Sequence, residues 1–369
     1  MKKTEHKIAI LISARNEELV INKTLEAIKK LVSKKNIYVV NDASTDNTLE
    51  IIQRNLSKRN ILINDIKSGK TKSLNKAIVE FKLADKYDYI FPIDADTVIG
   101  ETFIDEVVKT FKKHRRNTVA AVIGRIKSDD SCYLTSYRVW EYEIAHSLIK
   151  AAQSKIGAVT VCSGCATVYS SHVLKEVLYP DTTATEDMDL TFTVHRQKLG
   201  KIIYADDAVV HTQDPNNIRV FTRQLIKWYS GFWQCVVKHN IPWGGQILDF
   251  EVALLALGGI ASGFYVFSLI TLLIVSIFRP DVRNYVFLQL LMDVLVLMIP
   301  TTIFAAYRNK TLKIFKYIGH FYLLRYYCGL VFTYCLFKVI LGIDVVAWER
   351  TQRYKVQKAM EFTSAGAYD

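Results

Sequence analysis

Tyr89-Ile90-Phe91-Pro92-Ile93-Asp94-Ala95-Asp96 is the stretch on which the fold turns: an apolar run of strand length leads straight into two carboxylates two positions apart. An apolar run without alternation is what a strand covered on both faces requires, and such strands belong to parallel sheets flanked by helices. Similar runs occupy Lys7–Ser13, Ile37–Val40 and Ile61–Ile63 upstream and Val119–Ile123 downstream. Helical stretches fill the intervals near Glu17–Lys30, Asn47–Asn55, Thr71–Phe81 and Glu101–Lys113, with Ser44, Thr45 and Asp46 as N-cap candidates for the second. The alternation predicts βα units on a largely parallel α/β sheet, and an open sheet of this kind binds ligands beyond the carboxyl ends of its strands.

The polar clusters fall at those ends. The first strand runs into Ser13-Ala14-Arg15-Asn16-Glu17, and the second into Asn41-Asp42-Ala43-Ser44-Thr45-Asp46. Taken singly, each reads equally as turn and cap chemistry. Asp94 and Asp96 at a third strand end shift the balance toward a site, because hard cations such as Mg²⁺ or Mn²⁺ want oxygen ligands and share their shell with substrate phosphates. Gly69-Lys70-Thr71-Lys72-Ser73-Leu74-Asn75 lacks P-loop spacing and reads either as a lysine opening a helix beside a phosphate or as solvated surface. Thr185-Glu186-Asp187-Met188-Asp189 precedes a helical stretch through His195, where acids suit the positive end of the helix dipole. That setting is expected to keep Asp187 ionised, as a general base must be before it takes a hydroxyl proton. Gln224, Lys227 and Trp228 lie on neighbouring turns of a basic, aromatic stretch that by itself reads as an amphipathic helix at a membrane surface.

The chain has 369 residues, 50% hydrophobic and 23% charged, which excludes a disordered chain and accommodates two domains. Its net charge of +12 suits a nucleic acid, an anionic membrane surface or a phosphorylated substrate without choosing among them. Six unevenly spaced cysteines make no disulfide framework and favour a reducing compartment, and the Cys162–Cys165 pair lacks the second ligand pair of a zinc site. The apolar stretch Ile8–Ile12 is too short for a secretory signal, which places the first half in the cytosol.

Near residue 250 the composition changes. Val252–Phe278 is 27 residues without a charge, about 40 Å as a helix and enough to cross a bilayer. Tyr285–Tyr307 is a second span, interrupted by Asp293 and Pro300, with Asp293 calling for a buried partner or a polar lining. A third segment, Ile314–Ile343, contains Lys316, His320, Arg325 and Lys338 and either spans or lies at the interface. Arg308, Lys310, Lys313 and Lys316 after the second span keep residues 1–250 on the cytoplasmic side, whereas Arg350, Arg353, Lys355 and Lys358 in the tail conflict with three full crossings. The expected division is a catalytic domain at 1–215, an interface helix at 216–248, membrane or interfacial helices at 249–343 and a polar tail at 344–369.

With these clusters in this order, the chain resembles the family 2 glycosyltransferases, and among them the membrane-embedded synthases of poly-N-acetylglucosamine, chitin oligosaccharide, hyaluronan and cellulose. The resemblance covers about residues 7–240 by motif and the remainder by architecture. It implies a GT-A domain followed by an α-helical membrane region, and inverting transfer from a UDP-sugar with Mg²⁺ or Mn²⁺. Ala14, Glu17, Asp42, Lys70 and Asp94 then sit at the nucleotide, Asp96 holds nucleotide and metal, and Asp187 is the catalytic base of the T-E-D motif. Ser163, Gly164, Cys165 and Glu186 fall on the acceptor side, which gives Cys162 and Cys165 a packing role. Gln224, Lys227 and Trp228 match a Q-x-x-R-W motif in which lysine replaces arginine, a point charge in place of a planar fork. The resemblance leads one to expect paired membrane helices before the catalytic domain; none is read ahead of residue 7 in this sequence, and a secretion channel is then expected to have fewer helices to build it.

The implied partners are a UDP-sugar, a glycan or lipid-linked acceptor and membrane lipids, with room for a homo-oligomer or accessory subunits and no nucleic acid. The protein is then an integral, plasma-membrane enzyme that adds N-acetylglucosamine to a growing β-linked polysaccharide. Rival readings are a single-transfer glycosyltransferase acting on a polyprenyl phosphate or glycolipid, and a non-catalytic nucleotide-sugar-binding regulator. Trp228, Trp233 and Trp243 either stack on sugar rings or anchor in the membrane interface.

Overall fold

The computed structural model describes residues 7–115, 117–128 and 130–343; the polar tail and its basic residues lie outside the described residues. Eight strands form one sheet: β1 (Ile8–Ala14), β2 (Ile37–Asp42), β3 (Ile61–Asn64), β4 (Tyr89–Asp94), β5 (Val98–Ile99), β6 (Val119–Lys127), β7 (Thr167–Ser170) and β8 (Lys201–His211), in the spatial order β3-β2-β1-β4-β7-β6-β8-β5. The first half is parallel, with β2 and β4 flanking β1 and β3 outside β2. Ile8, Ala9, Ile10, Leu11 and Ile12 are all fully buried, because helices cover both faces of β1. Burial of each large aliphatic side chain contributes about 1.5–3 kcal/mol, so a polar substitution here would cost more than most surface ones. The five strands expected from sequence are all present, and the helices Ile21–Leu31, Thr48–Asn55, Lys70–Glu80 and Phe103–Lys112 occupy the expected intervals.

The second half departs from the parallel pattern. β7 is antiparallel to both β4 and β6, and β5 is antiparallel to β8. Chain direction therefore changes across the middle of the sheet, and the carboxyl ends of β1 and β4 open on the crevice where ligands bind in open sheets. Asp94 closes β4 at that crevice.

Among the described residues three helices are long and apolar enough to cross a membrane: Ile247–Phe278, Pro280–Asn309 and Lys313–Ile340. The third, left open between spanning and interfacial, is also long and apolar enough to cross, and two of its polar residues have partners within the protein. His320 packs on Tyr133 and Tyr317, and Arg325 pairs with Asp293, whose carboxylate also accepts from the Tyr326 hydroxyl at 2.7 Å. Asp293 thus has the partner that its depth in an apolar helix demands. The membrane and sheet regions are joined by ions as well as by packing: Arg308, at the end of the second apolar helix, donates to both oxygens of Asp206 on β8 at 2.5 and 2.6 Å.

Candidate active site

The loops after β1 and β2 are laced together. Asn16 and Ala43 both take left-handed backbone angles, φ 54° and 53°, a conformation that costs an alanine about 1–2 kcal/mol. It persists because the Ala43 N–H donates to the Asn64 carbonyl at 3.1 Å, while the Asn16 side chain accepts from the Thr45 N–H at 2.7 Å. The N-cap of the helix Thr48–Asn55 is Asn47 rather than any of the three candidates Ser44, Thr45 and Asp46; of these, Asp46 accepts from the Thr48 N–H at 3.0 Å from one position further out. Asp42 is buried at the end of β2 and accepts from the N–H groups of Ser68 and Gly69, each at 2.8 Å, and from the Asn64 amide at 3.1 Å. Burial pushes its carboxyl up, but the donors from Ser68, Asn64 and Gly69 outweigh this and hold it below the usual carboxylate range. Gly69, at φ 89°, then turns the chain into the helix Lys70–Glu80, a backbone angle that glycine adopts without strain.

Lys70 is delivered by that turn. Its Nζ lies 2.7 Å from Asp94 Oδ1 and 3.1 Å from Glu186 Oε1, so one ammonium joins the end of β4 to the first turn of the helix Glu186–Arg196. Although burial opposes it, the charges of Asp94 and Glu186 raise the Lys70 pKa well above the ordinary lysine value. Glu186 is correspondingly held low by Lys70 and Lys227 against the effect of burial.

The helix N-terminus that favours an ionised Asp187 is one of several influences on its carboxyl. A helix N-terminus alone would hold its carboxyl low, but burial and the neighbouring Glu186 raise it, with Lys70, Lys227 and the Met188 N–H opposing. A raised carboxylate is a stronger base, which serves proton abstraction better than the unperturbed group. Its Oδ2 accepts from the Gly164 N–H at 3.1 Å and its Oδ1 from the Met188 N–H at 2.9 Å. At Gly164 a Cβ would come within 3.2 Å of Lys70 Nζ and 3.7 Å of Asp187 Oδ2, so the acceptor-side segment passes close to both charges.

These groups share one cavity of about 690 Å³, within the size range of small-molecule sites. Lys70, Asp94, Asp96, Ser163, Gly164, Cys165, Glu186, Asp187, Gln224, Lys227 and Trp228 all line it. Ala14, Glu17 and Asp42 do not; they lie at the carboxyl ends of β1 and β2, and Asp42 acts on the cavity through the Ser68–Gly69 turn. All six cysteines are free thiols, and among the described residues no cluster of three or more His, Cys, Asp or Glu could cage a metal. Two neighbouring carboxylates fit a Mg²⁺ or Mn²⁺ ion that completes its shell with substrate phosphates and water, and do not fit an all-protein cage.

The helix Ile218–Lys238 is more enclosed than a surface amphipathic helix. It packs along the third apolar helix, with the Trp233 indole N–H donating to the Phe332 carbonyl at 3.2 Å, so Trp233 neither anchors at an interface nor faces the cavity. Trp228 faces the cavity, and Trp243 is 79% exposed. Gly231 lets the helix approach the T-E-D motif: a Cβ there would lie 2.3 Å from Thr185 Oγ1. Asp189, fully buried, accepts from Lys238 Nζ at 2.7 Å and His239 Nε2 at 2.8 Å, and Arg196 pairs with Asp249 at 2.6 Å at the start of the first apolar helix. The helix bearing Asp187 is thereby strapped to both neighbours.

Sequence reasoning missed Arg138. Its guanidinium is fully buried, lies 4.4 Å from the Phe221 ring centroid and 4.6 Å from that of Trp228, and donates to Gln224 Oε1 at 2.7 Å. It therefore fixes two of the three motif side chains on the helix Ile218–Lys238. The signal available was a charged residue, Arg138, inside the otherwise uncharged run Tyr133-Leu134-Thr135-Ser136-Tyr137-Arg138-Val139-Trp140. Arg138→Lys keeps a cation but loses the planar fork and the stacking; transfer is expected to fall about tenfold, or ~1.4 kcal/mol, with nucleotide affinity unchanged. Parallel measurement of sugar transfer and nucleotide binding checks this.

The site defines a class. Residues 6–231 match the model of "Glycosyltransferase like family 2", and the chain belongs to that family; it is a glycosyltransferase. A poly-β-1,6-N-acetyl-D-glucosamine synthase of Staphylococcus epidermidis is 28% identical over 305 residues, covering 78% of this chain and 70% of the relative. The synthase of the same name from Staphylococcus aureus (strain COL) is 27% identical over 237 residues, covering 63% and 56%. Among solved structures, a mannosyltransferase of Pyrobaculum calidifontis in complex with GDP-Man and Mn²⁺ aligns with a TM-score of 0.54 at 17% identity, covering 83% of this chain and 88% of that one. The expected GT-A domain followed by apolar helices is the architecture found.

Proposed function

We propose that the protein is an inverting membrane glycosyltransferase that transfers N-acetylglucosamine from UDP-N-acetylglucosamine to a hydroxyl of a growing β-linked polysaccharide, with its catalytic half on the cytoplasmic side of the plasma membrane. The observation that carries the reading is the junction at Lys70 and Gly164, where the D-x-D carboxylates, the acceptor-side segment and Asp187 line one cavity. The synthase names of the staphylococcal relatives support the donor sugar and the polymer.

In this reading the acceptor hydroxyl attacks the anomeric carbon from the face opposite the leaving diphosphate. The new C–O bond forms as the bond to the diphosphate breaks, and Asp187 takes the hydroxyl proton, a contribution of roughly 10²–10⁴ in rate. Asp96, with Asp94 beside it, would hold a divalent cation, which when bound offsets charge on the departing diphosphate. Lys70 and Lys227 do the same from the protein side. Ala14, Glu17 and Asp42 serve the nucleotide end by shaping the loops beyond β1 and β2. Ser163, Gly164, Cys165, Glu186, Gln224 and Trp228 border the acceptor.

A second reading, single transfer to a lipid-linked acceptor, is favoured by one feature: Leu255 and Phe332 of the apolar helices line the same cavity. Release of nucleoside diphosphate across a panel of sugar donors, followed by mass spectrometry of the products, tests both. UDP release with UDP-N-acetylglucosamine and products spaced by one N-acetylhexosamine is expected; one addition per acceptor would favour the second reading, and preference for another donor would overturn the first.

A further inference from the structure

We infer that Lys150 is a positioning residue that fixes the acceptor wall of the cavity, residues 161–165, against Asp187. This rests on the reading of Asp187 as the base.

Lys150 closes the π-helical stretch Glu143–Lys150 between two α-helical segments, and such turns recur at functional sites. It is 4% exposed and lines the cavity. Its Nζ donates to the Val161 carbonyl at 2.8 Å and to Ser163 Oγ at 3.2 Å, neither of them charged. Burial pushes its pKa down to about 8, while Cys162, Asp187 and Cys165 act in the other direction. His146, one turn earlier, is held neutral by burial and by the Lys150 charge. A buried ammonium hydrogen-bonded to neutral groups is a costly way to fill space, and an apolar side chain of the same length would serve packing better. What the ammonium adds is a grip on one segment of chain.

That segment is held from both sides. Lys150 takes Val161 and Ser163; from the helix that carries the base, Thr191 Oγ1 accepts from the Cys162 N–H at 2.8 Å and itself donates to the Asp187 carbonyl at 2.6 Å. Immediately after these grips the Gly164 N–H donates to Asp187 Oδ2. Without Lys150 the Val161 carbonyl and Ser163 Oγ lose their shared donor while the bonds from Thr167 Oγ1 and the Ala166 N–H to the Ser163 carbonyl remain, and the peptide that orients the base and borders the acceptor gains freedom. A displacement of about 1 Å at such a site can cost up to 10²-fold in rate.

The test compares Lys150→Met, which keeps length and loses the donors, with Lys150→Arg, which keeps charge and donors, in the full-length protein purified in detergent. Turnover of K150M is expected to fall about tenfold with the KM for the sugar nucleotide within twofold, and K150R to recover at least a third of parental turnover. Independently of activity, mass spectrometry follows N-ethylmaleimide labelling of Cys165, the residue after Gly164; at least threefold acceleration is expected in K150M and near-parental labelling in K150R. Parental turnover or parental Cys165 labelling in K150M overturns the inference. Should K150M also expose the fully buried Cys235, Ser163→Ala replaces it by cutting one of the two bonds from the other end, and unchanged Cys165 labelling there overturns the inference equally. A parent that releases UDP from no donor counts against the function proposal, while the labelling ratio still decides the role of Lys150.

Discussion

Asp187→Asn is expected to abolish sugar transfer, lowering turnover by roughly 10²–10⁴, while nucleotide affinity stays within twofold. The amide is isosteric and its one oxygen can keep either the Gly164 or the Met188 contact, the NH2 taking the place of the other acceptor, so the cavity changes little in shape. What it loses is the ability to take a proton. The pH dependence carries the same assignment. Burial and Glu186 raise the Asp187 pKa, so the acid limb of the parental turnover profile should lie above the range of an exposed aspartate, with activity falling as pH drops through that raised value. Glu186, held low by Lys70 and Lys227, should not contribute to that limb. Parental turnover in D187N, or an acid limb that D187N leaves unchanged, would remove Asp187 from the role.

Asp96→Asn should act on the other partner in the reaction. Metal-dependent affinity for the nucleotide is expected to weaken at least tenfold, about 1.4 kcal/mol, whereas affinity measured with chelator present should match the parent. Asp94 and Asp96 are the carboxylates at the end of β4 in the cavity, so neutralising Asp96 removes much of the share that this pair would give a hard cation's shell. Calorimetric titration of the nucleotide with and without chelator reads the difference directly. Equal affinity in the two conditions for the parent itself would contradict a cation role for Asp96.

The sequence made the first half of the sheet legible because β1, β2 and β4 are covered on both faces, and Ile8–Ile12 or Ile37–Val40 can therefore be read as continuous apolar runs. β7 was not legible: Thr167-Val168-Tyr169-Ser170 is four residues long, and its antiparallel pairing is a property of its neighbours. β8 mixes exposed Lys201 with buried Ile202 and runs through Asp206, whose partner Arg308 lies 102 positions away in the chain. The motif residues of the cavity were found because local spacing carries them, as at Asp94–Asp96 and Glu186–Asp187. Arg138 and Lys150 escaped because their meaning lies in what they touch, Gln224 and Trp228 in one case and Val161 and Ser163 in the other. The raised state of Asp187 escaped for a related reason: a helix start is visible in sequence, but the burial that overrides it is not.

Leu255 and Phe332 stand in the same chamber wall as Asp187, although they come from helices suited to a bilayer. Cutting the chain after the sheet would thus yield a soluble half with one side of its reaction vessel missing, flooded by water and stripped of the Asp249 latch on Arg196. Enzymology on such a fragment would describe a different object, and detergent or lipid composition becomes a variable of the chemistry itself.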